Sequence, residues 1–178
     1  MNMLTFFLIT LRCFALLSGL IGMAFILLGP GICYIDTESN DITICDSQVN
    51  FNFLQWNKVS KTVYLHVLVI LTTLSALAPP IYSLIYLSIT NEWEEKNKQI
   101  LKLFKASMIF LLSGFLEVYL LITIDVQISV EDSYGIKSFV QGWASAAGIY
   151  FSISILQLID MFIIYLKADN EKMKEEVI

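Results

Sequence analysis

The sequence predicts an all-α membrane protein: a four-helix transmembrane bundle with a small, disulfide-pinned first extracellular loop in which a β-hairpin is expected. Three observations predict it. Hydrophobic residues make up 57% of the 178 and charged residues only 15%, against about 25% charged in a soluble domain. Four runs, 3–28, 62–90, 103–124 and 139–166, are each long enough to cross a hydrocarbon core, which takes about 20 apolar residues at about 1.5 Å of rise each. The connecting loops, 29–61, 91–102 and 125–138, and the tail 167–178 are too short to bury a core of their own. The chain therefore reads as one four-span domain, helical because lipid leaves each segment to satisfy its own backbone hydrogen bonds.

The first run, 3–28, holds Arg12 followed by an apolar stretch from Cys13 to Gly29, the order of residues in a signal peptide. The residues before Arg12 are themselves largely apolar, and removing this run would leave three spans with the lysine-bearing loops on inconsistent sides. It is read as a retained span. Cys13, inside it, is expected to be a small buried hydrophobe.

The first loop opens "GPGICYIDTESNDITICDSQ", residues 29–48. Lys and Arg next to spans mark the cytoplasmic side. Lys96, Lys98, Lys102 and Lys105 flank the second loop, and Lys167, Lys172 and Lys174 lie in the tail. The first loop has Lys58 and Lys61, and the third only Lys137. This places both termini and loop 91–102 inside, and loops 29–61 and 125–138 outside. In that oxidising compartment Cys33 and Cys45 are expected to pair, worth about 3 kcal/mol for a loop of this size on the entropic view; the alternative is two free thiols. Between them, β-rich ends flank an Asp, Ser and Asn turn, the pattern of a hairpin. No Asn-x-Ser/Thr acceptor occurs, so N-glycosylation is not expected.

The second run, 62–90, contains His66 and "ALAPPIYSLIYL", with Pro79 and Pro80 inside the helix. Proline removes a backbone donor and clashes with the preceding turn, so a kink is expected, one that shapes the bundle or gates it. Loop 91–102 carries Glu and Lys at helical spacing and reads as a solvated extension of the third helix. The third run, 103–124, contains Ser113, Gly114 and Glu117, and the fourth, 139–166, contains Gly142, Trp143, Ser145, Ala146 and Asp160. Gly114, Gly142 and Ala146 offer close-approach faces, since small residues drive helix contact in lipid, and with Trp143 they form the expected helix-packing set. Trp143 sits where an aromatic interfacial belt is expected. The tail ends "EEVI", a weak match to a C-terminal PDZ-type docking motif.

Ionisable side chains within a span need partners. Arg12 and Asp160 fall at one depth near the cytoplasmic side, and His66 and Glu117 at another nearer the outer side. Two interhelical pairs are expected, acting as clamps that fix helix neighbours. The alternatives are snorkelling to the headgroups and a proton or ion relay through Glu117 and His66.

His66 is the only histidine, and neither a nucleophile triad, a phosphate-binding glycine loop nor a metal-ligand spacing stands out. A net charge of -5 disfavours nucleic acid. No catalytic residue, cofactor or metal is assigned, and the protein is expected to be non-enzymatic.

Four spans with cytoplasmic termini and a cysteine pair in a larger first outer loop resemble the claudin, peripheral myelin protein and epithelial membrane protein superfamily. "KASMIFLLSGFLEVYLLI" (residues 105–122) resembles its third helix, and "YGIKSFVQGWASAAG" (residues 134–148) its fourth-helix opening. The chain departs from the family in its shortened first loop, which has no Trp before Cys33 and a single Trp, Trp56, beyond Cys45. The resemblance implies a plasma-membrane or junctional protein that associates with itself or other membrane proteins in cis, with trans contact through the first loop. Its rivals are an auxiliary subunit that modulates an ion channel, and a small transporter or channel using Glu117 and His66.

Overall fold

The computed structural model describes residues 3–36, 42–50, 52–58, 61–90, 94–124 and 136–176. The expected hairpin turn, most of the third loop and the terminal Ile178 lie outside them.

Four long helices carry the fold: α1 (Met3–Leu28), α2 (Leu65–Thr90), α3 (Lys96–Thr123) and α4 (Gln141–Glu176). All four are long and apolar enough to cross a membrane, as a multi-pass membrane protein requires. α4 packs against α3 and α1, and α2 packs against α3 and α1, which closes a ring of four. Three boundaries differ from the sequence reading. α3 begins at Lys96 rather than 103, taking in Lys96, Lys98 and Lys102 as the expected extension of the helix, with Glu95 at its N-cap. α2 is preceded by two short 3₁₀ turns, Phe53–Lys58 and Lys61–Tyr64. α4 starts at Gln141 because the residues before it form a strand.

That strand is β3 (Ile136–Val140), and it completes a sheet with β1 (Pro30–Asp36) and β2 (Ile42–Asn50). The order is β2-β1-β3, with both pairings antiparallel. The hairpin of the first loop thus gains a third strand from the segment leading into α4. The junction with α1 follows from "LLGPGIC". Gly29 takes φ 49° and its N–H donates to Phe25 O at 3.0 Å, a left-handed helix end. Pro30 cannot continue the helix, and the ladder is irregular between Pro30 and Ile32.

The bundle is apolar outside and partly polar inside, the reverse of a soluble one. Leu20, Leu71, Leu112, Phe115, Ile122, Ile155 and Phe162 are exposed, while Arg12, His66, Thr73, Ser83, Gln99, Ser107, Glu117, Gln157 and Asp160 are buried. Lipid solvates the outer faces, so apolar side chains need no shelter, and polar ones turn inward to partners. Cys13 follows this rule and corrects the expectation of burial: it is exposed on α1, a free thiol facing outward. α2 runs as one helix through Pro79 and Pro80, with Pro80 buried and Pro79 half-buried.

Candidate functional site

Two buried polar clusters lie at opposite ends of the bundle. Far from the sheet, Arg12 of α1 donates through Nε to Asp160 Oδ2 at 2.7 Å and through Nη2 to Asp160 Oδ1 at 3.2 Å. This is the two-pronged arrangement that matches guanidinium to carboxylate. The third nitrogen, Nη1, donates to Ser83 Oγ of α2, which also accepts from Gln99 Nε2 of α3 at 3.1 Å. Arg12 and Asp160 are each 1% exposed. One guanidinium therefore ties all four helices together, directly to α2 and α4 and through Ser83 to α3. Ser83 and Gln99 were not singled out from the sequence. Ser83 carried a signal, a hydroxyl at the depth of Arg12 in an apolar helix end, whereas Gln99 sits among lysines and nothing set it apart.

Nearer the sheet, His66 at the start of α2 bonds through Nδ1 to Glu117 Oε1 of α3 at 2.9 Å, and both are fully buried. The imidazole lies between two indoles. Its centroid is 5.5 Å from Trp56, in the first 3₁₀ turn, and 4.4 Å from Trp143 of α4. Trp56, the loop's lone Trp, is thus folded into the bundle's end and is itself fully buried.

Trp143, expected at the level of the interfacial belt and among the helix-packing residues, is 1% exposed and packed between helices. Its Nε1–H donates to Ile26 O at 3.2 Å, one of the carbonyls that the end of α1 leaves without an intrahelical partner. The preceding Gly142 makes this approach feasible. A Cβ there would meet the Pro30 ring and would stand 3.0 Å from Phe25 O. The Gly142–Trp143 pair is therefore the cap of α1 supplied by α4. The other small residues are similarly placed: Ala146 is fully buried, and Gly114 faces the Phe151 ring.

Between the clusters, Ser107 and Ser154 bond each other's hydroxyls at 3.0 Å and each other's backbone carbonyls, joining α3 to α4. Thr72 and Ser113 join α2 to α3 at 3.0 Å. On α4 the buried face reads Trp143, Tyr150, Ser154, Gln157 and Asp160, a helical spacing that runs about 25 Å along the axis at about 1.5 Å per residue.

In the sheet, Cys33 stands directly opposite Cys45 in the β1–β2 register. Cys33 is buried and engaged with a partner. The other face of this register sets Cys33 against Phe139 of β3. Among the described residues there is no group of three or more His, Cys, Asp or Glu able to hold a metal ion.

No family model, curated protein or solved structure matches the chain.

Proposed function

We propose that this is a non-enzymatic, claudin-like four-span protein of the plasma membrane or cell junction, acting by lateral association and by contact between cells. The sheet lies outside the cell and the termini inside. The observation that carries the reading is the sheet itself. Strands from both connecting segments on one side of the bundle share a central β1, leaving β2 and β3 as edges. An edge strand presents unpaired N–H and C=O groups, which a strand from another chain can complete. The interior gives the sheet a fixed base, since Gly142 and Trp143 lock the end of α1 to α4 beneath β1 and β3.

Cys33 and Cys45 form a disulfide in this reading. Directly opposed residues of an antiparallel pair stand about 4.5–5.5 Å apart at Cα, inside the range of about 4.4–6.8 Å that a disulfide spans. Lysine placement supports the orientation, with Lys96, Lys98 and Lys102 at the end of the bundle away from the sheet.

The test is recovery of two differently tagged copies together. They are expressed in one cell population, and separately in two populations that are then mixed, and each is precipitated through its tag. Recovery from both arrangements supports lateral and cell-to-cell association, and recovery from neither overturns it.

A further inference from the structure

The bundle beneath the sheet holds more polar groups than it pairs. His66 Nε2 and Glu117 Oε2 are buried and make no hydrogen bond among the described residues, and beside them the buried Thr73 Oγ1 and Tyr150 hydroxyl have at most each other. They come from three helices and share one neighbourhood. His66 and Glu117 are bonded through their other atoms, and the Tyr150 hydroxyl neighbours Thr73 and is within electrostatic reach of Glu117. Each of the four residues is fully buried. Leaving a buried polar group unbonded is costly, and a cluster of four with so few partners is far from the usual condition of buried polar atoms.

We propose that the space between His66, Thr73, Glu117 and Tyr150 is a binding site for water, which bridges the carboxylate, the two hydroxyls and the imidazole and gives the His66–Glu117 pair an exchangeable proton. The chemistry of the donor set fits this guest. Glu117 Oε2 accepts, the hydroxyls of Thr73 and Tyr150 donate or accept, and His66 Nε2 does either according to its proton. A water makes two to four hydrogen bonds, so one or two waters satisfy all four atoms. When Nε2 carries its own proton, the proton shared between Nδ1 of His66 and Oε1 of Glu117 leaves the pair neutral as a whole on either residue. A net charge is not left in the apolar interior while the proton moves. The indoles of Trp56 and Trp143 pack against the ring at 5.5 Å and 4.4 Å between centroids.

His66 is the chain's only histidine, so isotope-labelled histidine reports this site alone. The full-length protein in lipid bilayers is examined by solid-state magnetic resonance, with magnetisation passed from water to the labelled ring. The expected result is transfer to the His66 nitrogens, although the ring is fully buried. A second measurement compares melting of wild type with Tyr150→Phe. If the hydroxyl binds water, its removal lowers the melting temperature by about 2–4 °C, the scale of about 1 kcal/mol for a chain of this size. A ring that receives no transfer from water, or a Tyr150→Phe protein that melts higher because an unbonded hydroxyl has been removed, overturns the proposal.

Discussion

Arg12 shows what a single residue decides in this fold. A guanidinium in the core of a lipid-facing bundle is tolerable only with its donors occupied, and here Asp160 and Ser83 occupy them. Removing one partner of a buried ion pair costs about 3–5 kcal/mol, because the other charge remains buried without compensation. Arg12→Ala and Asp160→Ala should therefore each abolish surface expression, measured by flow cytometry of a tagged protein. The exchange Arg12→Asp with Asp160→Arg should restore it only in part, since Ser83 is positioned for a guanidinium on α1. Ser83→Ala alone strips a bond from both Arg12 and Gln99, and should lower stability by about 1–3 kcal/mol without eliminating the fold. If the exchanged pair expresses no better than the single variants, the clamp is not what holds these helices in register.

At the scale of elements, the junction of α1, β1 and α4 is the least forgiving contact. Gly142→Ala drives a Cβ into the Pro30 ring and against the Phe25 carbonyl, both fixed by backbone. Gly114→Ala meets only the edge of the Phe151 ring, at 2.9 Å, and that ring is half-exposed and can rotate. Overpacking of a rigid site costs about 1–3 kcal/mol, so Gly142→Ala should melt distinctly lower than Gly114→Ala in thermal scans of the purified protein. The spans themselves were legible in the sequence because lipid demands long apolar runs, and the two ionic pairs follow from matching depth. Which face of each helix looks inward was not legible. A helix apolar on all sides carries no pattern to reveal it, so Cys13 was expected inside and lies outside, and the specific bond of Trp143 to the end of α1 was not foreseen. β3 escaped notice for a different reason. Its five residues, "IKSFV", pair with a strand a hundred positions earlier, and no local signal announces so distant a partner.

The whole molecule is a ring of four spans whose one end carries a sheet and whose other end carries an ionic clamp. If the sheet faces outward, Gln48→Cys, exposed on β2, should react on intact cells with a membrane-impermeant thiol reagent. Lys98→Cys, exposed at the start of α3, should react only after permeabilisation. If Cys33 and Cys45 pair as proposed, mass counting finds one alkylatable thiol, Cys13, in the unreduced denatured chain and three after reduction. Association through the sheet is tested most directly in adhesion-poor cells that express a fluorescent copy and are mixed with cells that do not. Imaging then compares contacts between two expressing cells with contacts where only one expresses. Enrichment is expected at the former alone, lost in the Cys33→Ser, Cys45→Ser double variant that still reaches the surface. Equal, uniform signal at both kinds of contact would contradict it.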